Sequence, residues 1–61
     1  MEYPKENSFV RVEYFVPDKN FNQFENCIYR NDHFWLSDNQ ENAGLLYSFI
    51  TDSCVIDWSY L

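Results

Sequence analysis

Trp35-Leu36-Ser37-Asp38-Asn39-Gln40-Glu41-Asn42-Ala43-Gly44-Leu45-Leu46-Tyr47-Ser48-Phe49-Ile50 is the stretch on which the fold turns. Ser37 stands as an N-cap, and Gln40 three residues later completes an S-x-x-Q capping box. Asp38 and Glu41 fall at the positive end of the helix dipole, where an acid contributes about 0.3–1 kcal/mol. Leu45, Leu46, Phe49 and Ile50 follow at i, i+1, i+4 and i+5, the spacing of one apolar stripe. Gly44 costs about 1 kcal/mol relative to alanine inside a helix, so it predicts close approach of another backbone. The stretch reads as one amphipathic helix.

Outward from it, the chain reads as strand. Val10, Val12, Tyr14 and Val16 alternate with Phe9, Arg11, Glu13 and Phe15, a β-branched and aromatic run with period two. Val16-Pro17-Asp18-Lys19-Asn20-Phe21 is a turn, with Pro17 setting φ and Asn20 suited to a left-handed backbone. A second strand from Phe21 to Tyr29 alternates poorly and reads as an edge strand with room for a bulge. Arg30-Asn31-Asp32-His33 reads as a polar loop. After Thr51-Asp52-Ser53, Cys54, Ile56, Trp58 and Tyr60 alternate with Val55, Asp57, Ser59 and Leu61 in a strand that ends the chain. The expected fold is α+β, in the order β-β-α-β. It is a three-stranded antiparallel sheet, strand order 2-1-3, with one helix packed on it. Residues 1–61 make one domain, with 1–7 as a loose arm.

Sixty-one residues allow only a small core. Six Phe, five Tyr and two Trp, 21 % of the chain, are more ring area than one helix on one sheet can cover. The surplus predicts a homodimer with an exposed apolar patch for a partner. A net charge of −6 opposes direct binding to nucleic acid or to an anionic membrane and favours a basic partner. With two cysteines and no apolar run of bilayer length, the expectation is a cytoplasmic protein with reduced thiols.

Nothing in the sequence supports an enzyme. His33 near Cys27, Ser37 and Asp32 lacks a group to orient a base. Cys27, Cys54 and His33 have no C-x2-C pair from which to start a zinc site. The expectation is no catalytic residue, no metal and no cofactor. What remains is acid on a rigid frame: Asp38 and Glu41 on one helix face, Asp32 before it, and Glu25 on the second strand. Carboxylates so fixed can stand where DNA phosphates lie on a DNA-binding protein. The plainer account of the same acids is a solvated helix face that complements the dipole.

Three features together carry a resemblance. They are the aromatic second strand ending in Tyr29-Arg30, the Leu36-Ser37-Asp38 helix start, and the terminal strand over 54–61. In these the chain resembles the small uracil-DNA glycosylase inhibitors of phi29-like Bacillus phages, which are acidic homodimers with two strands, a helix and a last strand. The resemblance implies a DNA-mimic inhibitor of a host uracil-DNA glycosylase, acting in the infected cell's cytoplasm. It also implies that paired helices form an apolar pocket for the leucine the enzyme inserts into DNA. Where that family has an aromatic and a glutamate after Leu-Ser-Asp, this chain has Asn39 and Gln40, so the charge falls to Asp38 or Glu41. The pocket or dimer seam falls to Leu45, Leu46, Tyr47 and Phe49, with Phe34 and Trp35. The alternatives are mimicry aimed at a restriction, CRISPR or nucleoid protein, and a small interaction subunit without mimicry.

Overall fold

The computed structural model describes residues 2–36 and 48–61. Strands β1 (Phe9–Val16), β2 (Phe21–Arg30), β3 (His33–Leu36), β4 (Phe49–Ile50) and β5 (Val55–Tyr60) form one antiparallel sheet in the order β4-β3-β2-β1-β5. The protein is mostly β, with no α-helix among the described residues. This replaces the expected α+β fold, a three-stranded sheet of order 2-1-3 with one helix on it. Positions 37–47 of the expected helix lie outside the described residues. Both ends of the quoted stretch are strand: Trp35 pairs with Phe49, and Phe34 with Ile50. A helix would place Phe49 and Ile50 on one stripe. Here they alternate, Ile50 buried and Phe49 45 % exposed.

Two turns set the register. Between β1 and β2, Asn20 takes φ 56° and donates its N–H to the Val16 carbonyl at 2.8 Å, as its side chain tolerates. Between β2 and β3, Asn31 and Asp32 both have positive φ, 51° and 64°. That is the type I′ geometry of a two-residue hairpin, whose twist matches the strands it joins. The expected polar loop is this turn, and β3 begins directly after it.

The expected edge strand, β2, lies inside the sheet. It pairs with β1 from Phe21 to Ile28, and with β3 only from Cys27 to Arg30. Among the described residues its first half therefore has one neighbour and is largely exposed, while Cys27 and Ile28 lie between β1 and β3 and, with Tyr29, are buried. The poor alternation reflects that change of surroundings. The register irregularity falls elsewhere, between Glu13 and Tyr14 opposite β5.

Only residues 51–54 join the sheet's two edges, β4 and β5, and Asp52–Cys54 form a 3-10 turn. Laid flat, five strands would separate their edges by roughly 19 Å. Five Cα steps reach at most roughly 17–18 Å when extended, and less through a 3-10 turn rising ~2 Å per residue. The sheet must curl. Accordingly, Tyr14, Phe15 and Val16 of β1 line one cleft with Leu36 of β3 and Phe49 and Ile50 of β4.

The concave face holds the core: Val10, Val12, Cys27, Tyr29, Phe34 and Ile50, with Tyr14, Leu36, Cys54, Val55 and Trp58 against it. Residues 2–7, expected as an arm, pass along this face. Tyr3 stacks on Tyr29 at 5.8 Å, Pro4 is buried, and the Glu2 carbonyl accepts the Trp58 indole N–H at 2.8 Å. The Lys5 N–H reaches the Tyr60 hydroxyl at 3.1 Å, and Asn7 extends the β2 pairing by donating to the Tyr29 carbonyl.

Asp32→Gly tests the hairpin. Glycine takes positive φ without a Cβ clash, so the substitution should stabilise, or at least not weaken, the fold, by up to about 1 kcal/mol. Asp32→Val should lower the melting temperature instead. Thermal unfolding followed by circular dichroism reads both.

Candidate functional site

Strand alternation turns a second set of side chains outward on the convex face. From β1 these are Phe9, Arg11, Glu13 and Phe15, met by Phe24, Asn26 and Ile28 of β2. The same face carries His33 and Trp35 of β3, Phe49 of β4, and Asp57 and Ser59 of β5. Aromatic and charged groups therefore share one surface.

Towards β4, the His33 ring stacks on Phe49 at 4.0 Å and 13°, and Trp35 meets Phe49 edge-on at 5.1 Å. The Trp35 indole N–H donates to the Arg30 carbonyl at 2.8 Å, which fixes the ring over the hairpin. His33 Nδ1 lies 3.6 Å from Asp52 Oδ1, beyond hydrogen-bond range, and is buried with no hydrogen-bond partner among the described residues.

Towards β5, the Arg11 guanidinium sits over the Phe24 ring at 4.9 Å, a cation–π contact. Glu13 and Asp57 stand directly opposite each other in register. Like charges so placed are unfavourable, and each carboxylate is held by a neutral donor. Asn22 Nδ2 donates to Glu13 at 3.2 Å, and the Trp58 backbone N–H donates to Asp57 Oδ1 at 2.8 Å. Arg11, Glu13, Phe24, Asp57 and Ser59 surround a shallow depression of about 80 Å³. A larger apolar cleft of about 210 Å³ opens where the curled edges meet, with Tyr14, Val16, Pro17, Leu36, Ile50 and Cys54 in its walls.

Among the expected site residues, Asp38, Glu41, Leu45, Leu46 and Tyr47 lie outside the described residues. Asp32 is exposed on the type I′ turn. Glu25 is half-buried on the concave side of β2, where it accepts from Gln23 Nε2 at 3.0 Å. Phe34 is 1 % exposed and belongs to the core, whereas Trp35 and Phe49 come together outside. Asp57 and Glu13 were not singled out from the sequence. Their signal was present, since period two puts each on the polar side of its strand.

No group of three or more metal-ligating side chains occurs among the described residues, and no helix there is long and apolar enough to cross a membrane. Both cysteines are free thiols. Burial first, then the charge of Glu25, pushes the Cys27 thiol from 9.0 up to about 12. Burial, followed by Glu25 and Cys27, also raises the Tyr14 phenol. Neither supplies a nucleophile at neutral pH. Protein-family models, characterised proteins and solved structures contain no match to this chain.

A raised folded-state value means that Cys27 favours folding fully below pH 9, and that this contribution is lost as pH climbs from 9 towards 12. Unfolding free energy should therefore fall above pH 9, and less steeply in Cys27→Ala. At pH 8, Cys54 should alkylate while Cys27 reacts only as fast as the protein opens, read by mass spectrometry.

Proposed function

We propose that this chain is a non-enzymatic, acidic protein-binding domain that occupies the DNA-binding face of a partner protein. One observation carries the reading. Glu2, Glu6, Asp18, Asp32, Asp52 and Asp57 are all exposed, on a domain of net charge −6 whose convex face also carries exposed rings. Fixed carboxylates supply the charge that a basic groove attracts, and the neighbouring aromatic surface supplies apolar contact.

The target to test first is uracil-DNA glycosylase. The β-β-α-β order is not that of the sheet, so the resemblance rests on Tyr29-Arg30, Leu36-Ser37-Asp38 and the last strand. The apolar cleft, which Phe49 lines, is suited to an aliphatic side chain of the enzyme, the role first expected of Leu45, Leu46, Tyr47 and Phe49 with Phe34 and Trp35. The protein would work as a homodimer in the cytoplasm of an infected host. A restriction, CRISPR or nucleoid protein is the alternative target.

A second reading, a docking subunit without mimicry, is favoured by the His33-Trp35-Phe49 cluster, a stacked aromatic surface with one acid, Asp52, at its margin. Salt separates the two. Screening shortens the reach of a surface charge from ~10 Å at 0.1 M salt to ~3 Å at 1 M. A mimic's association rate should drop about tenfold or more across that range, as steered association does. An apolar docking module's rate should hardly move. With glycosylase in hand, uracil excision should stop at a stoichiometric ratio. Unimpaired excision in excess protein would remove that enzyme as the target.

A further inference from the structure

β5 is the longer of the sheet's two outer strands. β4, at the other end of the sheet, has two residues, whereas β5 has six. The Leu61 N–H donates to the Phe9 carbonyl at 3.1 Å, one step beyond the Val10–Tyr60 pair. Antiparallel alternation then directs the backbone groups of Ser59 and Asp57 at β1 and those of Trp58 and Tyr60 away from it. Exposed Ile56, Tyr60 and Leu61 flank this edge. One of its outward donors is occupied from within, because Asp57 folds its carboxylate over the edge to accept the Trp58 N–H at 2.8 Å.

We infer that the β5 edge receives an extended segment of a basic partner protein as an added strand, with Asp57 selecting for a lysine or arginine in that segment. An incoming strand must supply a carbonyl to the Trp58 N–H and so displace the Asp57 carboxylate. A neutral strand replaces one hydrogen bond with another and strands a carboxylate beside Glu13, which already opposes it. A strand with a cationic side chain facing Asp57 makes the same backbone bond and adds an ion pair. Backbone pairing supplies the affinity and the side-chain positions the choice, as in other strand additions. A second copy of this chain fits poorly, because pairing along this edge would bring together two domains of charge −6. The inference rests on the reading of a basic partner and adds where that partner is held.

The probe is an extended hexapeptide of alternating lysine and valine, compared with its glutamate–valine and threonine–valine counterparts. The lysine peptide should shift the Trp58 and Tyr60 amide resonances and slow their hydrogen exchange, and the other two should not. Joining a synthetic segment 54–61 at Cys54 allows N-methylation of Tyr60, which deletes one outward N–H and no bond to β1. That variant should melt like the parent and bind the lysine peptide roughly tenfold more weakly, the loss of about one hydrogen bond. Asp57→Asn keeps an oxygen acceptor and should erase the preference for lysine over threonine. The inference is overturned by unchanged affinity after N-methylation, by perturbation confined to the Arg11–Phe24 face, by self-association in place of peptide binding, or by no binding at millimolar peptide. If the N-methylated protein still blocks a DNA-binding partner, the edge proposal falls and the proposed function stands. If the peptide binds the edge but no DNA-binding protein is blocked, the reverse holds.

Discussion

Four residues, 51–54, join strands at opposite edges of a five-stranded sheet, and the rest of the structure depends on that short link. A flat sheet is too wide for the link, so the sheet curls and acquires a concave and a convex face. The concave face is small enough for a few side chains to fill. Val10, Val12, Cys27, Tyr29, Phe34 and Ile50 do so. Domains of this size rarely hold more than ~3–5 kcal/mol of core stability. Tyr3, stacked on Tyr29, and the buried Pro4 add to this small core.

Curling also explains why so many rings remain outside. Period-two alternation gives each strand as many outward as inward positions, and the interior of a curled small sheet admits only some of the thirteen aromatics. Phe24 and Phe49, 52 % and 45 % exposed, are two of the rings left outside. They lie among Arg11, Glu13, Asp57 and Asp52, so the convex face joins apolar contact to net negative charge. A binding role follows from that combination more readily than a chemical one. The most perturbed thiol, Cys27, is driven towards its neutral, unreactive form.

Much of the strand content was legible in the sequence. Strand β1 runs from Phe9 to Val16, the limits its alternation indicates, and the Pro17–Asn20 turn has the left-handed Asn20 expected of it. The sequence misled where local signals competed. Phe49 and Ile50 fit the end of an apolar helical stripe in the sequence, yet they are strand residues paired with Trp35 and Phe34. Asn31-Asp32 lacks the glycine that usually marks a type I′ turn, so β3 was hidden behind what looked like a polar loop. Of the candidate site, Trp35 and Phe49 were each named among the apolar candidates, but their contact as cross-strand partners was not legible. Asp57 was legible as a residue on the polar side of its strand, but its place on an outer strand was not, because strand order is a non-local property.

The central claim is that this domain takes DNA's place on a basic protein surface. Fluorescence anisotropy of a labelled uracil-containing oligonucleotide bound to uracil-DNA glycosylase tests it most directly. On this account, added protein lowers the anisotropy to that of free DNA at one equivalent of binding sites, with the effect weakening as salt rises. Anisotropy that stays high or increases, whether from no binding or from a ternary complex with DNA still in place, would contradict occupation of that enzyme's DNA groove.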